Sequence, residues 1–305
     1  MIEIKLSQGA KPGHGGILPK EKITPEIAAI RMVGMEQDVI SPPAHTAFTT
    51  PRELVEFIAK LRYLSNGKPI GFKLCLGNHY EFLAICKAMV ETQIYPDFIT
   101  LDGGEGGTGA APLEFSDSVG TPLNDALVFV HNALVGFNIR DRIKLIVSGK
   151  MTTGFDLICK VAMGADMCNA ARGMMFALGC IQALQCHANT CPTGVATQDP
   201  NLVKGLDVEH KWKRVKNFHE ATVHSFLELL GAAGFTSPIE LKAQHIQRRI
   251  NATEVKNLNQ IYHYIEPGAL LHENIPEEFN EAMQLARSDS FAPASLKPML
   301  RLICD

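Results

Sequence analysis

Apolar positions along the chain recur with two periods. Short apolar runs of strand length stand at residues 2–6, 70–76, 98–101, 143–147 and 165–170. Between them lie stripes with the period of a helix. Thr24-Pro25-Glu26 opens a helix carrying Ile27, Ile30 and Met35, with proline at its first position. Thr50 and Glu53 have capping-box spacing ahead of a stripe of Leu54, Phe57, Ile58, Leu61 and Leu64. Further helices are expected over 81–92, 123–137, 155–163 and 174–184. After about Pro200 the strands stop, and 210–230, 239–249 and 276–286 read as helices.

Strands separated by helices pair in parallel through right-handed crossovers. The pattern thus predicts an α/β unit over residues 1–200 and a more polar helical extension over 201–305. Five strands are too few for an eight-stranded barrel. They suffice for a doubly wound open sheet. Pattern alone leaves both open.

Composition narrows the function classes. The chain has 305 residues, 46% hydrophobic and 20% charged, which excludes wholesale disorder. Lys plus Arg number 29 against 32 Asp plus Glu, so nothing favours nucleic acid or an anionic membrane. No apolar run approaches the ~20 residues of a membrane span. The start, MIEIKLSQ, carries charges where an export signal is apolar, so a cytoplasmic location is expected. The 8 cysteines are then thiols or metal ligands rather than a disulfide frame.

The sharpest motif is Cys180-Ile-Gln-Ala-Leu-Gln-Cys186-His-Ala-Asn-Thr-Cys191-Pro192. Thiolates at this density suit iron–sulfur clusters and zinc. His187 could serve as a fourth zinc ligand, but it adjoins Cys186, which makes closing a tetrahedron awkward. Three thiolates alone suit a three-iron, four-sulfur cluster. The plainer reading is a helix end with small buried thiols. Cys75, Cys86, Cys159, Cys168 and Cys304 are scattered and read as core or surface residues.

Asp102-Gly-Gly-Glu-Gly-Gly-Thr-Gly109 closes a strand, and its bare backbone can approach a phosphate or a flavin edge. It contains G-x-G-x-x-G, yet no helix opens directly after it, so a dinucleotide fingerprint is rejected. Lys11-Pro-Gly-His-Gly-Gly16 is a second glycine-rich loop, where Lys11 is either an anion contact or a solvated lysine. Lys73, amid apolar strand residues, either stabilises an anion in a barrel mouth or snorkels outward. Ser148-Gly-Lys150 and Ala171-Arg-Gly173 follow the last two strands, where barrels build phosphate sites; two ordinary turns fit equally well.

Taken in order, SQGAKPGHGGILP, TPEIAAIR, ISPPAH, FKLCL, DGGEGGTGAAP and GCIQALQCHANTCPTGVATQ resemble the FMN-binding domain of glutamate synthase. The likeness runs over residues 1 to about 198. The short stand-alone glutamate synthase-like FMN proteins look closest. The resemblance implies a (β/α)8 barrel in which reduced FMN passes a hydride to 2-iminoglutarate, made from 2-oxoglutarate and ammonia, giving L-glutamate. It also implies electron relay through a 3Fe-4S cluster held by Cys180, Cys186 and Cys191. By position, Lys73 would face the flavin, and Gln8, Gly106, Gly107 and Thr108 would line it. Gly149, Lys150, Ala171 and Arg172 would hold its phosphate. Lys11 and Arg31 would contact the oxoacid. Ammonia, free or from glutamine, and an electron donor such as ferredoxin or a reductase subunit would complete the reaction.

Two positions depart from the family: Ile17 stands where a glutamine contacts the oxoacid, and Ser148 where an Asp-Gly-Gly turn begins. No glutaminase nucleophile stands at residue 2 and no dinucleotide domain is expected. The five strands would be the fourth to the eighth of the barrel. Such a part barrel is expected to need the preceding segment, a partner or self-association, with Ile70, Phe72, Ile99 and Leu145 left partly in water. Two other readings stand beside this one. One is a subunit of a related amine–glutamate system of the N-methylglutamate synthase type. The other is a non-catalytic electron-transfer or scaffold subunit.

Overall fold

All five apolar runs become strands of one parallel sheet. The computed structural model describes residues 1–295. β1 (Ile2–Lys5) is followed by a short antiparallel ribbon, β2 (Ile17–Leu18) with β3 (Val39–Ile40), and α1 (Pro25–Arg31) lies between the ribbon strands. Next come α2 (Pro51–Leu64), β4 (Ile70–Leu74), α3 (His79–Thr92), β5 (Phe98–Asp102) and α4 (Leu123–Gly136). β6 (Lys144–Ser148), α5 (Gly154–Ala162), β7 (Met167–Asn169) and α6 (Arg172–Leu178) complete the unit.

The sheet order is β1-β4-β5-β6-β7, so each strand lies beside its predecessor in the sheet. A doubly wound sheet reverses at a switch point, and this order never does. It is the order of a barrel wall. Register sorts the two faces. Ile4, Phe72, Ile99 and Leu145 stand side by side and are buried under α2, α4 and α5. Exposure of Ile70, Phe72, Ile99 and Leu145 to water does not occur: each is 0% exposed. The helices alone cover that face, and burial contributes ~2 kcal/mol for each such side chain. The opposite face carries Lys5, Lys73, Thr100, Ile146 and Met167 in register. Met167, on the outer strand β7, is 47% exposed.

Local signals set the helix ends. The Thr50–Glu53 capping box forms, and a second joins Thr153 to Asp156 at α5. Thr24 caps α1 by accepting from the Ile27 N–H, but Met32 turns left-handed at φ 55°, so Met35 lies beyond the helix. The helix expected over 174–184 stops at Leu178. Gly179, at φ 103°, takes the left-handed position that ends helices, and the apolar period of Ile181 and Leu184 continues into an exposed loop.

Beyond residue 200, α7 (Val208–Ala232) forms as expected. The helix expected over 239–249 does not. Two tight turns at 238–240 and 243–245 lead into β8 (Gln247–Arg249), which pairs with β9 (Val255–Asn257). Strands therefore do not stop at Pro200. Gln-Arg-Arg has no apolar alternation to announce it. α8 (Leu258–Ile261) and α9 (Glu277–Leu285) follow. Leu241, Leu258, Leu270 and Phe279 join the core under the sheet. Lys87 donates to the carbonyls of Met283 and Ala286, both at 2.8 Å, at the end of α9. Cys304 lies outside the described residues. Among those residues no helix is long and apolar enough to cross a membrane.

Candidate active site

The loops leaving the C-terminal ends of β1, β5, β6 and β7 meet in one place. The β1 and β5 loops are laced together. The Ala10 N–H donates to the Gly106 carbonyl at 2.6 Å, and Gln8 Nε2 donates to the Gly107 carbonyl at 2.8 Å. Only glycine fits this approach. A Cβ on Gly9 would stand 2.1 Å from the Gly103 oxygen, and Gly107 sits at φ 74° against Gln8. Glu105 fastens the loop from the other side by accepting the Leu123 N–H at 3.1 Å, at the start of α4.

These loops enclose a cavity of about 280 Å³. Gly106, Gly107, Thr108, Gly149, Lys150, Ala171 and Arg172 all line it, together with Cys180 and Cys186. The Arg172 guanidinium donates to the Thr108 hydroxyl and so bridges two of the loops. Lys150 holds a left-handed φ of 47° and pairs with Asp117 at 3.2 Å. Bare backbone on one wall and two cations on the other fit a phosphate-bearing cofactor of the FMN type.

Beside this cavity lies a group of lysines. Lys73 Nζ is 3.7 Å from the buried Asp102 carboxylate, which also accepts the Gly9 N–H at 3.0 Å. Lys5 stands next to Lys73 in register. Burial, then the charges of Lys73 and Lys11, lower the Lys5 ammonium from its ordinary value. Lys11 is 5% exposed. With Lys5 and Gln8 it lines a second cavity of about 320 Å³ that also touches His14 and His45. Three ammonium groups beside two carboxylates, Asp102 and Glu3, attract anions such as an oxoacid. Arg31 is exposed at the end of α1 and lines neither cavity.

The cysteines differ sharply in state. Burial raises Cys75 and Cys168 to about 12, and raises Cys86 and Cys159 as well. Burial would raise Cys191 too. Hydrogen bonds from the Thr193 hydroxyl and the N–H groups of Ala196, Thr193 and Val195 outweigh it and bring Cys191 to about 7. Cys180 accepts the Gln182 N–H at 3.5 Å. Among the described residues no three His, Cys, Asp or Glu side chains gather round one point where a single ion could sit. Mononuclear zinc does not fit. A cluster in which each iron takes its own cysteine also needs the three sulfurs close together, so only the donor type speaks for it.

Lys5, Asp102, Glu105 and Lys22 do not stand out from sequence. Lys5 carried one signal, a charge alternating with Ile2 and Ile4 in a strand. Asp102 carried another, its place at a strand's C-terminal end. Lys22 donates to the Cys186 carbonyl across the fold and carried none.

A family model described as a conserved region in glutamate synthase matches residues 1–236. The chain belongs to that family. It is 42% identical over 262 residues to the glutamate synthase large subunit-like protein YerD of Bacillus subtilis, covering 86% of this chain and 50% of that protein. It is 38% identical over 249 residues to the archaeal glutamate synthase (NADPH) of Methanocaldococcus jannaschii, covering 81% and 48%. The chain thus spans about half the length of these relatives. Among solved structures, a flavocytochrome b2 mutant with pyruvate bound aligns with a TM-score of 0.41 and 17% identity, over 71% of this chain and 40% of that one.

Proposed function

We propose that this chain forms the FMN-bearing half of a glutamate synthase-type oxidoreductase. The observation that carries the reading is the shared cavity, in which the glycine loop, both strand-end turns and two of the clustered cysteines meet. Gly106, Gly107 and Thr108 would line FMN, with Gln8 fixing their loop. Gly149, Lys150, Ala171 and Arg172 would hold its phosphate. Bound there, FMN supplies the hydride that reduces 2-iminoglutarate to L-glutamate.

The protein's own part is electrostatic. Lys11, with Lys5, holds the carboxylates of 2-oxoglutarate. Arg31 reaches the oxoacid only by moving from its exposed place. Lys73 faces the flavin and stabilises negative charge that develops there. Asp102 keeps Lys73 aimed through its second contact with Gly9. Cys180, Cys186 and Cys191 hold a 3Fe-4S cluster, a reading supported by residue type and spacing. Ammonia and a donor such as ferredoxin or a reductase subunit come from elsewhere. β1 and β7, each paired on one side among the described residues, take up the rest of the barrel wall from a preceding segment, a partner or a second copy.

The test is anaerobic reconstitution with FMN, iron and sulfide, followed by turnover with 2-oxoglutarate, ammonia and a reduced donor. Glutamate should form, oxidised protein should give the EPR signal of a three-iron centre, and Cys186→Ser should abolish that signal. A colourless protein with one zinc per chain ends the cluster reading. A flavin- and cluster-loaded protein without turnover leaves the electron-transfer reading in its place.

A further inference from the structure

Lys22 does not itself line the cavity, yet it touches two residues of the cysteine segment that do, Cys186 and Ala196. Its half-buried ammonium donates to the carbonyl of Cys186 and, at 3.5 Å, to that of Ala196. Those carbonyls mark the two ends of a loop whose middle is Cys191. Ala196 also supplies an N–H to the Cys191 sulfur. Among the described residues no carboxylate lies within ion-pair distance of this ammonium, and its protein partners are the two carbonyls.

The turn that carries Lys22 is itself anchored. Ile23 is buried, the Lys22 N–H donates to the Pro19 carbonyl at 2.9 Å, and the Lys20 N–H donates to Asp38 at 2.9 Å. A second tie runs parallel. Asn189 Nδ2 donates to the Glu21 carbonyl at 3.2 Å, while Asn189 Oδ1 accepts the Gln198 N–H at 2.7 Å. The buried Thr197 hydroxyl donates to the Asn189 carbonyl at 2.6 Å. The cysteine loop is therefore closed on itself and strapped to residues 21–22.

We propose that Lys22 is a positioning residue that clamps the 186–196 loop, and that its positive charge complements an anionic group held by the cysteines. The proposal rests on the reading of that segment as cluster-bearing. A lysine serves because one ammonium offers three donors and can satisfy two carbonyls while bringing a positive charge to the cysteine segment. Methionine keeps the stem and loses both ties and the charge. Arginine keeps the charge and the donors.

The experiment compares the full chain with Lys22→Met and Lys22→Arg after anaerobic reconstitution. Iron per chain, flavin per chain and the midpoint potential of the iron signal are measured. Amide hydrogen exchange over 187–198 is followed in iron-free protein. Lys22→Met should hold flavin normally, bind iron about tenfold or more weakly, lower the potential of any iron retained, and exchange faster over 187–198. Lys22→Arg should restore all of these. Wild-type iron binding and unchanged exchange in Lys22→Met overturn the proposal. If the unmodified chain takes up no iron, the cluster reading fails by itself. Exchange then decides the clamp: faster in methionine and restored by arginine supports it, and unchanged exchange sinks it.

Discussion

Lys5 and Lys73 are register partners on adjacent parallel strands, so two ammonium groups rise side by side from one face of the sheet. Neighbouring strands lie ~4.8 Å apart, and like charges so placed repel unless an anion answers them. Asp102 lies within 3.7 Å of Lys73, whereas Lys5 donates to Gln8 Oε1 at 3.4 Å and feels the Asp102 and Glu3 carboxylates without an ion pair of its own among the described residues.

Lys73→Ala should lower the flavin midpoint potential and slow flavin reduction. Loss of a single preorganised donor beside developing charge costs about 3 kcal/mol of stabilisation. Spectroelectrochemical titration of both proteins checks it, and an unchanged potential places Lys73 away from the flavin.

The lowered ammonium of Lys5 makes oxoacid binding pH-dependent. Lys5 sheds its proton at lower pH than an ordinary lysine. Affinity for 2-oxoglutarate should therefore be greatest while Lys5 is charged, and should fall as pH rises through that lowered value. Calorimetric titrations across alkaline pH should show the loss, and Lys5→Met should be weaker at neutral pH and flatter above it. A fall of the same size in Lys5→Met would assign the effect to another group.

Gly9→Ala should break the lacing of the β1 and β5 loops. Its Cβ would meet the Gly103 carbonyl at 2.1 Å, and backbone cannot swing aside as a side chain does. Overpacking of this kind costs ~1–3 kcal/mol. Thermal melts should show the loss of stability and equilibrium dialysis a loss of flavin. Gly13→Ala, where a Cβ meets nothing within 4 Å but φ is 72°, should cost less and leave flavin bound.

The two sheet edges should govern association. β1 and β7 offer unpaired backbone among the described residues, and such edges template pairing. The core beneath the helices is complete, so the isolated chain should melt cooperatively while sedimenting as dimers or larger species. A flavin-loaded monomer in the ultracentrifuge would show that neither edge needs a partner.

The parallel sheet was legible because its strands are apolar on short, separated runs, and the glycine and cysteine motifs because residue type alone marks them. β8 was not, since Gln247-Arg248-Arg249 is held by backbone pairing with β9 and buries nothing. The end of α6 was misread because apolar period outlasts the helix, whereas Gly179 in the left-handed region decides it. The lysine group needed the fold: Lys5, Lys11 and Lys73 come together only through strand register and a loop. Arg31 was placed by motif, and the exposed end of α1 holds it apart from Lys11.

The family match ends at residue 236, but the packing does not. Phe279 stacks on Phe129 at 5.0 Å, Phe129 stacks on His79 at 4.0 Å, and Lys87 caps the last turn of α9. The family model and the packing thus have different borders in this chain, and the alignment to the Bacillus subtilis relative, over 262 residues, also runs past residue 236. Trimmed at residue 236, the protein would expose the Phe129 ring and strand the Lys87 ammonium. The tail works as a girdle, and any transplant of residues 1–236 into another protein has to carry it along.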